Sequence, residues 1–399
     1  MRIHLLKSSL SLLRWSLIAL AGVAVGSVAA QTQGVTDTEI LVGAVVDLSG
    51  PVANYGVSDR EGLIFATEEI NAAGGIHGRK IRVLVEDSGY DPKKGVLVTQ
   101  KLLTQDKVFA LMNTQGSATV LATQPLAMER GVPFLFPVSS SESTYLPLHP
   151  LKFALLPATS EHLRTSVEYA YAKLGKRRFG ILYQDDETGQ AALRAAEEQL
   201  KLHGLTMLER TSHKRGETNF SAQIARLKAA NVDIVVLGTL IRETAAAEIE
   251  AKAQGWPVDM IVPWTFPLMI TLAGQAAEGL YGATQFLGTA QPLTTAAYKA
   301  LVERYKARFG HDIGDGTSFG YTSMMLFAEG ARHAGRNLTG TTLSQGLEKI
   351  KNFKAVFEAP LISYTPTDHA PPRAAFIMQV RGGKWVQIAG PTTYDELMR

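Results

Sequence analysis

The chain contains no cysteine. That excludes disulfides, thiolate nucleophiles, thiolate metal sites and a lipid-modified N-terminal cysteine. Charge of either sign is also scarce as a surplus. Lys and Arg number 40 against 37 Asp and Glu, and Arg2, Lys7 and Arg14 near the start account for the excess. The remaining chain carries no basic stripe, so no nucleic-acid partner is expected, because neutralising phosphates needs clustered Lys and Arg. After Gln31 no stretch approaches the ~18 uninterrupted apolar residues of a membrane span. The nine histidines include no His-x-x-x-His pair and no His-Glu-x-x-His, so no metal site is expected. Tandem repeats, heptads and low-complexity tracts are missing too.

What is present is a chain of 399 residues, 46% hydrophobic and 19% charged. That composition supports packed cores, and the length supports two or three domains at ~150 residues each. Residues 1–30 are expected to be a signal peptide. Arg2 to Arg14 supplies its basic region, Trp15–Val25 its apolar region, and Val28-Ala29-Ala30 the small residues before cleavage at Gln31. An uncleaved membrane anchor is the alternative. The mature chain is then exported, periplasmic, soluble and not a lipoprotein.

From Glu39 onward, apolar runs alternate with stretches of period 3.6. The runs Ile40–Leu48, Ile81–Asp87, Val108–Met112 and Val132–Pro137 form one round of predicted strands. Arg178–Tyr183, Thr206–Arg210, Asp233–Gly238, Asp259–Val262 and Gly279–Gln285 form a second. Helical faces lie between them, such as Leu63, Ala66 and Ile70, or Phe220, Ile224 and Leu227. Strands alternating with helices imply an α/β fold with parallel sheets covered on both faces. Two sheets fit two rounds better than one sheet of ten strands. The tail predicts helices over Thr294–Gly310, Phe319–Ala334 and Thr341–Ile350, then short strands over Ala359–Ser363 and Ala375–Val380.

In such sheets ligands sit beyond the carboxyl ends of the strands. Asn113-Thr-Gln-Gly-Ser-Ala-Thr119 leads from a strand into a helix and is rich in small hydroxyl residues. Free amides at a helix start make a carboxylate cradle, and Ser139–Thr144 after the next strand adds donors. An N-cap followed by a polar loop is the competing reading. Gly316-Thr317-Ser318-Phe319-Gly320 matches the Gly-x-Ser-x-Gly pattern, but the turn-rich Phe309–Asp315 before it cannot supply the buried strand of a nucleophile elbow. Asp185-Asp186-Glu187 complements a helix start better than it binds a cation. Gly74-Gly75-Ile76-His77-Gly78 lacks dinucleotide-loop spacing and reads as a turn. No enzyme and no cofactor is expected.

Several segments together resemble a family. Ile40–Asn71 contains VGAVVDLSGPVANYGVSDREG…EEIN and runs into AAGGIHGRKIRVLVEDSGYDPKKG, with FSAQIARLKAANVDIVVLG and AAEGLYG (Ala276–Gly282) downstream. The set is similar to the leucine/isoleucine/valine-binding proteins, receptors of branched-chain amino-acid ABC importers, and possibly to an aromatic-acid-binding branch. The resemblance implies a type I periplasmic binding protein fold: two Rossmann-like lobes, a three-crossing hinge and ligand in the cleft. It places one lobe at 36–157 plus 287–363 and the other at 158–286 plus 364–397.

The resemblance also implies a site. The family's carboxylate loops match Gln115-Gly116-Ser117 and Val138-Ser139-Ser140, with donors at the Gly116 and Ser117 amides and at Ser140. Tyr55 keeps an aromatic that packs on the ligand, and Thr188 and Phe319 complete the expected lining. The family's ammonium clamp differs here. Its tyrosine falls at Leu240 or, with a one-residue shift, Ile241, and its glutamate falls at Trp264. Neither replacement neutralises a cation, and an unpaired buried ammonium costs several kcal/mol. A local shift that brings in Glu243 or Asp259 is the alternative. A family disulfide is replaced by Tyr90 and Gln115. The expected ligand is therefore a small carboxylate, aromatic or aliphatic, taken up by a likewise implied ABC permease and bound by a monomer. A branched-chain amino-acid receptor proper, a sensor domain of a signalling system and a serine hydrolase built on Ser318 are the other readings.

Overall fold

The computed structural model describes residues 32–139 and 141–399. The expected signal peptide and Ser140 lie outside the described residues. Strands β1 (Glu39–Val46), β2 (Lys80–Asp87), β3 (Ala110–Met112), β4 (Phe134–Leu135) and β5 (Lys152–Phe153) form one sheet in the order β2-β1-β3-β4-β5, every pair parallel. Strand β1 is apolar along its length because both its faces are covered. Ile40, Val42 and Ala44 enter the main core, and Leu41 and Val45 enter a cluster on the opposite face. Edge strand β2 is only partly buried.

The second sheet holds β6 (Phe179–Gln184), β7 (Glu209–His213), β8 (Ile234–Gly238), β9 (Asp259–Val262), β10 (Tyr281–Thr284), β11 (Ala375–Arg381) and β12 (Lys384–Thr392). Its order is β12-β11-β10-β9-β8-β6-β7. Strands β6 to β10 are parallel, and β11 and β12 add on antiparallel. Two expectations shift here. Pairing of Gly180 with Glu209 starts β7 three residues later than Thr206. Ala359–Ser363 is not a strand, and Ile362 makes only a lone bridge to Phe353.

Helices 296–309, 317–334 and 340–348, which follow the second sheet's parallel strands in sequence, return to the first sheet. Thr317–Ala334 packs along Ala53–Ala72, and the approach is close enough that a Cβ on Gly320 would lie 2.0 Å from the Asp59 carbonyl. The chain thus passes between the sheets three times, and the passages are bonded together. Gln285 Nε2 donates to the Leu155 carbonyl at 2.8 Å, and the Tyr364 hydroxyl donates to the Ala154 carbonyl at 2.8 Å. Tyr364 and His369 both pack on the Phe153 ring, so the last passage comes after His369 and not at residue 364. Among the described residues no helix is long and apolar enough to cross a membrane.

Candidate functional site

A cavity of about 120 Å³ lies between the carboxyl ends of the two sheets. Its first wall is built by loops after β1, β3 and β4. The Asp47 carboxylate at the end of β1 accepts from the Ser49 and Val52 amides at 3.2 and 2.9 Å, shaping the turn that delivers Val52 and Tyr55 to the cavity. After β3, the Gln115 amide donates to the Val45 carbonyl at 2.8 Å, and its side-chain Oε1 accepts from the Asp47 amide at 2.9 Å. Gly116 follows at φ +92, where a Cβ would meet the Tyr90 ring at 2.8 Å. Only glycine joins that backbone to that contact.

The helix Ser117–Met128 then begins on the cavity wall, so the positive end of its dipole faces the space. Ser139 Oγ, from the loop after β4, donates to Ser117 Oγ at 3.1 Å. The expected Gly116 donor is corrected: its amide is committed to the Val138 carbonyl at 2.9 Å, while the Val138 amide bonds the Thr114 carbonyl at 2.9 Å. Those two bonds continue the β3–β4 ladder by one step, which consumes the amide a ligand would need.

The second wall is apolar. Leu240 caps the helix Ile241–Ala253 without a side-chain hydrogen bond, and Trp264, Thr265 and Phe266 follow β9. The Phe266 ring meets Tyr55 of the first wall edge-on, with centroids 5.5 Å apart. Arg215 reaches across as well. Its Nη1 donates to the Tyr90 carbonyl at 2.8 Å while Nη2 pairs with Asp186 at 2.8 Å. The lobes are therefore closed on each other. Asp186 also accepts from the Thr188 amide at 2.9 Å, which caps the helix Glu187–Leu202 and sets Thr188 on the cavity.

Tyr55, Gln115, Gly116, Ser117, Val138, Ser139, Thr188, Leu240 and Trp264 all line the cavity. Ser140 is outside the described residues. Phe319 is corrected: it is buried in the core, one step around its helix from Ser318, which does line the space. Neither Glu243 nor Asp259 lines it. Glu243 is buried in its helix and Asp259 pairs with Lys176. Residues that sequence reasoning missed include Tyr90, His162, Phe266, Phe286 and Asp315.

The cavity has no basic side chain among its lining residues. His162 is held neutral, since burial lowers its pKa to about 4, and its Nδ1 donates to the Pro263 carbonyl at 3.2 Å. Burial pushes Asp315 up to about 7. Burial first, then the charges of Asp59 and Asp315, raises the Tyr55 phenol well above its ordinary value. The Ser318 hydroxyl pairs with Thr289, and among the described residues no base is bonded to it. The arrangement is suited to enclosing a small molecule with an apolar body.

The sequence matches the family model described as periplasmic binding protein over residues 39–384. It is 28% identical over 244 residues to the Leu/Ile/Val-binding protein of Escherichia coli (strain K12), covering 61% of this chain and 66% of that protein, just under two thirds of its length. A branched chain amino acid ABC transporter structure from Thermus thermophilus with bound valine shares the fold at a TM-score of 0.82 and 20% identity, covering 90% of this chain and 97% of that one. A solute binding protein of an ABC transporter from R. palustris in complex with benzoate does so at 0.78 and 17%, covering 89% and 97%. The fold is that of the type I periplasmic binding proteins, and the chain belongs to the periplasmic binding protein family.

Proposed function

We propose that this chain is the substrate-binding component of an ABC importer and that its ligand is a small carboxylate with an aromatic or aliphatic body and no α-ammonium group. The observation that carries the reading is the pair Leu240 and Trp264 on the cavity wall. They give that end of a ligand an apolar surface where an ammonium would need a carboxylate. The start of the helix Ser117–Met128 turns the positive end of its dipole toward the anionic end. Trp264, Tyr55 and Phe266 supply ring faces. The benzoate bound by the R. palustris protein supports an aromatic acid.

The chain acts in the periplasm as a monomer, its first thirty residues removed as a signal peptide, and hands the ligand to membrane permease subunits. Ligand bridging the two walls stabilises the closed form through contacts that exist only there. A thermal-shift screen of benzoate-like and short aliphatic acids against amino acids tests the reading. A ligand at a hundred times its Kd stabilises by about 2.7 kcal/mol, and a shift with amino acids alone overturns it. The second reading is a branched-chain amino-acid receptor proper, favoured by the name of the Escherichia coli relative and by Asp315, an acid on the cavity wall.

A further inference from the structure

The cavity holds one carboxyl that no described residue answers. Asp315 lines it from the turn that precedes the helix Thr317–Ala334. Its carboxyl makes no hydrogen bond and no ion pair with any described residue. The charged and titratable groups around it are committed elsewhere, carry no positive charge or lie off the cavity lining. On the helix Ala53–Ala72, Asp59 accepts from Asn113 Nδ2 at 2.8 Å, Glu61 accepts from the Tyr305 hydroxyl at 2.6 Å and lies 3.5 Å from His311, and Arg60, its Nε buried without a partner, is not on the lining. Tyr55 is a neutral phenol. Asp312, in the same loop, pairs with Lys306 at 2.9 Å. From the other lobe, His162 is neutral.

We infer that Asp315 determines specificity: the ligand carries, besides its carboxylate, a hydrogen-bond donor on its body that meets this carboxyl. The inference rests on the carboxylate reading above and narrows it. A ligand with a carboxylate and nothing else would bring a second negative charge into a closed space that has no cation, and like charges sharing such a site repel. A hydroxyl or ammonium on the ligand's body turns the same acid into a partner, through a charge-assisted bond. Ser318 and Thr289, whose hydroxyls pair on the same wall, leave that end of the cavity polar while the opposite wall is apolar. The ligand class is therefore a hydroxylated or aminated carboxylic acid with the donor away from the carboxylate.

Calorimetry with matched probes tests this. Benzoate is compared with meta- and para-hydroxybenzoate and para-(aminomethyl)benzoate, and butyrate with its terminal hydroxy and amino derivatives. Each is titrated into the wild type, Asp315→Asn and Asp315→Ala. In the wild type the best donor-bearing probe binds at least about tenfold more tightly than its unsubstituted parent. Asp315→Ala brings the two within about twofold, by weakening the donor-bearing probe and tightening the parent, which no longer meets a like charge. Tightest binding by a hydroxy probe identifies a hydroxyl ligand, and tightest binding by an amino probe identifies an ammonium; both support the role of Asp315. Parent acids that match their derivatives in both sets, or a preference that survives Asp315→Ala, overturn it. Asp315→Asn, which keeps the shape, guards against a folding defect. Methyl esters separate the two claims: esters that bind as well as acids sink the carboxylate reading and leave the Asp315 preference to be scored on its own.

Discussion

The two walls of the cavity are built differently. On the first, the loops after β3 and β4 are laced by backbone bonds between Gly116 and Val138 and between Val138 and Thr114, with Ser139 and Ser117 joined above them. On the second, Leu240 and Trp264 line the space from loops, and Leu240 caps its helix without a side-chain bond. A wall made by main-chain geometry changes only if the fold does, whereas one made by side chains changes with single substitutions. On the proposed reading, the laced loops receive the carboxylate, and Leu240, Trp264 and Asp315 select the body.

The contrast breaks most visibly with amino acids. Leucine, isoleucine and valine should bind at least about a hundredfold more weakly than the best non-amino carboxylate, the ~2.7 kcal/mol that an unpaired ammonium costs beside an indole face. Micromolar binding of leucine by calorimetry would show an acid serving the second wall after all. Trp264→Glu should weaken the native ligand and recover part of the amino-acid affinity.

Stability offers a smaller effect with a defined sign. Burial raises Asp315 from 3.8 to about 7, so ionising it destabilises the folded form as pH rises through that window. Asp315→Asn should raise the unfolding free energy by about 1–2 kcal/mol above neutral pH, a figure reduced for the carboxyl's partial exposure, and by nothing in acid below the unfolded value. Denaturant melts across pH check this, and a gain that does not fade in acid would point to packing. Closure should appear as a slightly smaller radius of gyration by X-ray scattering in saturating ligand than without it; identical curves with a ligand proven to bind would count against movement between the walls. Ser318→Ala should change affinity by no more than about twofold and reveal no lost esterase activity, because its hydroxyl is paired with Thr289.

Much of the fold was legible because parallel strands buried on both faces are continuous apolar runs, as β1 and β8 are. β5 escaped notice because Lys152–Phe153 is too short for any period to register. β12 was hidden by its exposure, with Gly390-Pro391 near its end and an irregular register against β11. Ala359–Ser363 misled in the opposite direction: Ala359 and Ile362 pack on the core without forming a ladder, and Leu361 stays exposed. In the site, the hydroxyl-rich loops announced themselves as strand-to-helix turns. Asp315 did not, since it sits in a turn-rich loop far along the chain, and only the return of the helix Thr317–Ala334 onto Ala53–Ala72 brings it to the cavity. An acid beside the Gly-x-Ser-x-Gly segment was the available signal, and it was spent on excluding a nucleophile.

The lacing of Gly116 to Val138 also has a consequence for time. A landing surface already wired in the folded chain needs no rearrangement when a solute arrives, so capture can proceed on the first wall at the pace of encounter. On the proposed binding mode the second wall closes afterwards. Substitutions at Leu240 or Trp264 should therefore act chiefly on how long a captured molecule stays, and only weakly on how often one is caught. For a carrier that must surrender its cargo, residence time is the quantity open to tuning, and it lies on the wall that single substitutions can change.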